Sequence, residues 1–344
     1  MEFLESLQGN FAATVVLGLL TGILFGYALQ RGRFCMNTAF RDILLTKDYT
    51  TFQAYVLAVL VAMVTVNLLL DLGLIGEPEL KEFHWLSNAI GGFVFGVGIV
   101  FAGGCASGTW YRVGEGLVGS MVVILGFAIA GAAASIGKLD FVRKALRGTR
   151  FEPAYTIQVD GEPATLYNIL GVNKWVVIAV LVAVLGLWLL RGQKPRHQKG
   201  WTWPVTGVAI GLIIAFGRWT SSLVGSPVGI TFAQTTVSLL TYPVVGIPKP
   251  NWGMFMILGV PLGAFISAKL YGEAKLRGPS EPSRYLKQFG GGLLMGFGAM
   301  LSGGCNINQG INNLALLTLG SLETILFIIL GAWTMVWFLF LRED

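Results

Sequence analysis

Long apolar runs separated by short polar connectors fill the chain from end to end. A helix needs about 20 mostly apolar residues to cross a bilayer. Runs of that kind fall at 11–29, 52–76, 88–105, 117–137, 175–191, 203–222, 252–271, 289–305 and 321–341, which predicts nine spanning helices. Four further stretches, Phe34–Leu45, Ala106–Gly116, Gly229–Tyr242 and Asn306–Leu319, are too short to span and too apolar for ordinary loops. Pieces of that length read as re-entrant or interfacial segments. No basic stretch precedes the first run, so Phe11–Leu29 reads as a retained helix, not a cleaved signal peptide. In the longest connector, Tyr155–Val159, Asp160-Gly161 and Ala164–Ile169 form the pattern of a small β-hairpin cap.

Composition sharpens the class. Of 344 residues, 54% are hydrophobic and only 12% charged, against about 25% charged in soluble domains. That excludes a soluble globular enzyme and a disordered chain, and it predicts an all-α polytopic membrane protein. The 47 glycines are about twice the usual share, as close helix packing would require. The net charge of +6 comes from scattered basic residues, so a nucleic-acid partner is not expected and membrane lipid is.

Lysine and arginine counts give an orientation. With the N-terminus outside, the inner connectors hold fifteen basic residues and the outer ones eight, with Arg218 near a span end. Cytoplasmic loops carry the basic excess, so the N-terminus reads as periplasmic and the C-terminus as cytoplasmic. The connector 138–174 goes against this, holding six of the eight outer charges. If the rule held there too, one span would be miscounted.

The strongest sequence signal is internal. Gly91 to Cys105 aligns without gaps to Gly291 to Cys305, at an offset of 200, with seven of fifteen positions identical, including the closing Gly-Gly-Cys. A weaker echo relates Gly18 and Gly22 to Gly207 and Gly211. The chain therefore divides into repeat one (about 11–137), the loop 138–174, a linking helix at 175–191 and repeat two (about 203–341), within one integral membrane domain, 1–344. The linking span inverts the second repeat, a plan of many secondary transporters, whose site lies near the midplane between repeats.

The paired glycines Gly103-Gly104 and Gly303-Gly304 permit a sharp backbone turn. A helix restarting after each would aim free N–H groups at an anion. Asn306, Asn308, Gln309, Ser107 and Thr109 are placed to supply polarity. A membrane cysteine is ordinarily a small buried hydrophobe, but the matched repeat argues for a site at Cys105 and Cys305. Cys35 lacks a repeat partner, because the echo's offset sets Val224 opposite it. Its Arg31-Gly32-Arg33-Phe34-Cys35 setting is nevertheless basic, and arginines hold anions. Arg218 reads as an anion contact or, by preference, a snorkelling side chain. Arg112 and Glu115 read as a local pair, and His84 and His197 as solvated. No nucleotide-binding loop or cofactor motif is present. Two rivals to an anion path remain, a membrane thiol enzyme that transfers sulfur covalently and a Cu(I) site of three thiolates.

The Arg-Gly-Arg-Phe-Cys-Met-Asn segment, Ala-Gly-Gly-Cys-Ala-Ser-Gly at 102–108 and Ser-Gly-Gly-Cys-Asn-Ile-Asn-Gln-Gly at 302–310 resemble the YeeE/YedE sulfur-transport family. The resemblance covers essentially the whole chain. It implies inner-membrane uptake of thiosulfate for sulfur assimilation, through an hourglass-shaped bundle in which re-entrant loops meet. It also implies that the family's three functional cysteines fall on Cys35, Cys105 and Cys305, and that a separate small cytoplasmic TusA-like sulfur carrier is the partner. Family members linked to selenium leave another sulfur or selenium compound as an alternative substrate.

Overall fold

The computed structural model describes residues 9–78, 80, 82–148, 156–159, 162–192, 200–246 and 250–342. In chain order the helices are α1 (Phe11–Arg31), α2 (Met36–Leu45), α3 (Thr50–Asp71), α4 (Trp85–Ala102), α5 (Ala106–Gly114), α6 (Val118–Ser135) and α7 (Asp140–Leu146). They continue with α8 (Leu166–Leu170), α9 (Lys174–Leu190), α10 (Trp203–Leu223), α11 (Ala233–Val245), α12 (Trp252–Leu270), α13 (Pro282–Leu301) and α14 (Leu319–Val336). Between α13 and α14 lie a π-helical turn, Asn308–Asn313, and a 3₁₀ turn, Leu314–Leu316. Three short strands, β1 (Phe83–His84), β2 (Thr156–Val159) and β3 (Glu162–Pro163), form a small antiparallel sheet.

The protein is thus an all-α polytopic membrane protein. Among the described residues, seven helical stretches are long and apolar enough to cross a membrane. The other two expected spans are present as helices: α9 has only 17 residues, and α13 begins seven residues earlier than expected, with Arg284, Lys287 and Gln288 in its first turns. The four short pieces also appear, three as the helices α2, α5 and α11 and the fourth as the irregular 308–316 segment. The hairpin forms only in part. β2 pairs with β3, but Thr165 caps α8 by accepting from the Asn168 N–H, so 166–169 turns helical where a strand was expected. Asp160-Gly161 and Tyr155 lie outside the described residues.

The connectors sort onto two faces. On one, β1 pairs with β2, Thr165 bridges Thr318, the Gly76 N–H donates to Ser222 Oγ at 2.9 Å, and Lys174 pairs with Asp71. On the other, Leu117 bridges Arg277 and the Trp201 N–H donates to the Arg31 carbonyl at 3.0 Å. The basic connector shares its face with 72–84 and 306–318.

Helices of one half pack mainly on helices of the other: α1 on α12, α10 on α3, α4 on α14, α13 on α6 and α4 on α13. Glycine makes this possible. A Cβ on Gly96 would overlap the Ile328 carbonyl of α14, and one on Gly296 the Phe127 carbonyl of α6. These two glycines stand 200 positions apart and make equivalent contacts. Helix association in lipid has no hydrophobic drive and depends on such backbone approach. Gly186, in α9, has nothing within 4 Å of its ideal Cβ. Gly186→Ala is therefore expected to raise helix stability by about 0.5–1 kcal/mol, read as a slightly higher melting temperature in detergent; a lower one would show that α9 packs more tightly than its surface indicates.

Candidate functional site

Each cysteine occupies the same local position, the start of a restarted helix. The carbonyl of Cys35 accepts from the Ala39 N–H at 2.9 Å, that of Cys105 from Thr109 at 2.8 Å, and that of Cys305 from Gln309 at 2.8 Å. The breaks before Cys105 and Cys305 turn on left-handed glycines, Gly103 at φ 70° and Gly303 at φ 77°, where a Cβ would be strained. The second restart is irregular, because the Asn312 N–H reaches back five residues to the Ile307 carbonyl at 3.0 Å. Single π turns of this kind recur at functional sites.

The structure brings two of the thiols together. Cys35 Sγ lies 3.7 Å from Cys105 Sγ, although 70 residues separate them. Cys105 Sγ also accepts from the Gly108 N–H at 3.3 Å and lies 3.5 Å from Ser107 Oγ. All three cysteines are free and buried. Gly108 is a residue that sequence reasoning did not single out. A Cβ there would stand 2.9 Å from Cys35 Sγ and 3.2 Å from Cys105 Sγ. Cys35 has no thiol counterpart, but Val224 is not opposite it: Val224 caps the end of α10, whereas the second half's short helix starts at Phe232-Ala233. The intervening connector in that half is simply longer.

The expected polar residues divide into two groups. Asn306 is fully buried, and neither end of its amide has a hydrogen-bond partner. An unpartnered buried amide is costly, so this group is available to a passing ligand. Gln309 instead braces its own segment, donating to the Ser302 carbonyl at 2.6 Å and accepting from Ser321 Oγ at 2.6 Å. Asn308 accepts from the Asn312 amide at 3.3 Å, and Thr109 Oγ1 donates to the Ala106 carbonyl at 2.7 Å. Gly104 and Gly304 leave room for the Arg112 and Asn308 side chains that lie against them. From α3, Tyr55 donates to the Gly310 carbonyl at 2.9 Å and Asn67 to that of Ala315 at 2.9 Å. Both were visible as polar positions within an apolar run.

Three charge readings change. Arg112 donates to the Gly103 carbonyl at 2.6 Å and so braces the first break, leaving Glu115 to other partners. Arg218 does not snorkel: it is buried, donating to the carbonyls of Asn312 at 3.2 Å and Pro227 at 3.4 Å, and so ties α10 to the second break. Arg31 and Arg33 face carboxylates, not an open anion site. Arg33, at φ 50°, donates to Glu115 at 3.0 Å and pairs with Glu273 at 2.7 Å; Gln30 donates to both carboxylates, and Arg31 lies 3.8 Å from Glu273.

This cluster gives a pH test. Burial pushes the Glu273 carboxyl up, but the Gln30 hydrogen bond and the charges of Arg33 and Arg31 outweigh it and hold the group below the usual carboxylate range. A carboxyl held low in the folded state contributes stability above its unfolded value and loses it as pH falls through the folded one. Wild type is therefore expected to melt higher than Glu273→Gln at neutral pH, the gap closing in acid. A gap that stays constant with pH would rule out the ion cluster as its source.

On the opposite face, a cavity of about 350 Å³ is lined by Ser302, Gly303 and Gln309 together with Glu82, His84, Arg143 and Arg147. The arginines that strained the orientation rule thus line a cavity that reaches Ser302 and Gly303 at the second break. His84 is only half-buried, and burial, aided by the Arg147 charge, holds its imidazole below its ordinary value. Glu82 also lines the cavity and Arg143 pairs with Asp140, which offset part of the arginines' positive charge. His197 lies outside the described residues. Among the described residues no group of three or more Cys, His, Asp or Glu side chains comes together, so the three-thiolate Cu(I) arrangement is not assembled.

Comparison with known proteins agrees with this architecture. A protein named thiosulfate transporter TsuA from Spirochaeta thermophila is 38% identical over 330 residues, covering 94% of this chain and 99% of its own. A protein of the same name from Escherichia coli K12 is 34% identical over 350 aligned positions, covering 96% of each chain. The probable transporter YedE of Escherichia coli K12 is 30% identical over 185 residues, 53% of this chain and 42% of its own. The family profile described as sulphur transport matches residues 31–334. With that span matched and both breaks in place, the chain belongs to the sulphur transport family.

Proposed function

We propose that the protein carries thiosulfate inward across the inner membrane for sulfur assimilation. The carrying observation is the pair of Gly-Gly-Cys breaks, each turning on a left-handed glycine and presenting a buried thiol at the start of a restarted helix. Two relatives named as thiosulfate transporters, matched over nearly their whole length, support that substrate. The ion enters through the cavity lined by Arg143 and Arg147, meets the Asn306 amide, and passes Cys305 and the Cys35–Cys105 pair.

The chemistry suits the cargo. A thiol is a weak donor and a soft, polarizable contact, matched to a terminal sulfane sulfur. Restarted helix N-termini offset part of the dianion's charge. Neutral thiols are cheaper to bury in the bilayer than lysine or arginine. In this reading the N-terminus is periplasmic and the C-terminus cytoplasmic, two inverted repeats form an hourglass, and a separate TusA-like carrier receives the ion at the inner face. The test is growth of a host lacking its own thiosulfate importers, on thiosulfate as sole sulfur source. Expression of this protein is expected to restore growth; growth on sulfide but not thiosulfate would defeat the reading.

A further inference from the structure

The sulfurs of Cys35 and Cys105 stand 3.7 Å apart with both side chains buried. Each cysteine is the N-cap of its helix, α2 or α5, so two positive helix ends converge where negative charge on sulfur is stabilised. Gly108 keeps the space between the sulfurs and the facing backbone clear, since any Cβ there would press on both. A thiol beside a second thiol is the arrangement in which a mixed disulfide is resolved within the molecule.

We propose that Cys35 and Cys105 are an oxidisable dithiol, converted by a polythionate into an intramolecular disulfide that stops transport. The oxidant class follows from the anion path and rests on the thiosulfate reading. Tetrathionate is two thiosulfate units joined through their sulfane sulfurs, so it presents the same sulfonate ends. One cysteine thiolate attacks a central sulfur, the central S–S bond breaks, and one thiosulfate leaves. The second thiolate attacks the first cysteine's sulfur, the Cys35–Cys105 bond forms, and a second thiosulfate leaves. Two thiols lose two electrons and two protons; the polythionate takes the electrons and solvent the protons. The joined sulfurs no longer offer S–H donors to the cargo, and the two short helices are tied together.

The experiment uses the full chain in proteoliposomes, treated with tetrathionate, then denatured and alkylated. Alkylatable thiols are expected to fall from three to one, and peptide mapping to show Cys35 joined to Cys105. Cys305→Ala is expected to form the same link, and Cys35→Ser and Cys105→Ser to form none. Thiosulfate uptake by the oxidised protein is expected to fall to the level of empty liposomes and to return after dithiothreitol. Three thiols left alkylatable in the wild type, or a link made through Cys305, overturns the dithiol. A correct link with unchanged uptake overturns the block. Absence of uptake before any oxidation defeats the thiosulfate reading alone, because the link is still read by mass.

Discussion

Cys105→Ala is expected to bring thiosulfate uptake in proteoliposomes to background while the protein remains folded and inserted, and Cys305→Ala to do the same. Removing one buried sulfur leaves a void worth about 1 kcal/mol, a small part of the 5–15 kcal/mol that typically holds a fold. The functional loss is larger because Cys105 Sγ is the meeting point of Cys35 Sγ, Ser107 and the Gly108 N–H. Without it the first break presents a methyl group where the cargo's soft sulfur would be held. Cys305 stands at the equivalent position of the second break, beside the unpartnered Asn306 amide. Radiolabelled uptake with parallel melting curves separates the two effects. Wild-type rates in both variants would remove the thiols from the transport path.

Gly22→Val is expected to prevent recovery of folded protein altogether. Gly22 sits where α1 crosses α12, and a Cβ there would overlap the Met256 carbonyl and stand 2.9 Å from Gly259 Cα. Ordinary carbon contacts need about 3.5–4.0 Å. Every obstacle is backbone, so no rotamer relieves it and the helices must separate. Gly26 and Gly263 repeat the same approach along the same seam, against Val260 and Ile23. Separation at one glycine therefore loosens the others, and the cost exceeds the 1–3 kcal/mol of usual overpacking. Fluorescence-detected size exclusion of detergent extracts reads the outcome directly. A monodisperse peak at wild-type yield would show that the α1–α12 seam is not what holds the two halves together.

Much of the architecture was legible because it depends on short-range properties. A span is a run of apolar length, and a break is a glycine pair beside a cysteine; both are written locally. The repeat at offset 200 was legible for the same reason, and Gly96 and Gly296 indeed face carbonyls of α14 and α6. Boundaries shifted where polar residues join a helix, as at α13, whose early turns carry charge that a hydropathy pattern excludes. The candidate site was half legible. All three cysteines and both glycine pairs were in view, but Gly108, Tyr55 and Asn67 were not singled out, since each matters only for what a distant segment places against it.

Charge was the least legible property. A sequence gives a count per connector, and from that count Arg143 and Arg147 looked misplaced, Arg218 looked like a snorkelling side chain, and Arg33 looked like an anion donor. In the fold the first two line a cavity at the second break, the third clamps two carbonyls, and the fourth is occupied by Glu115 and Glu273. An arginine's role is set by the groups within a few ångströms, which come from other helices.

By itself, then, the sequence determined the membrane class, the repeat and the points at which helices break, since each follows from local apolar length or backbone freedom. Only the tertiary structure decided which thiols meet, which amide stays unpartnered and where each arginine is spent. These depend on helices of one half packing on helices of the other, so contacts between Cys35 and Cys105, or Arg218 and Asn312, arise from chain closure over long separations. No local pattern encodes that closure.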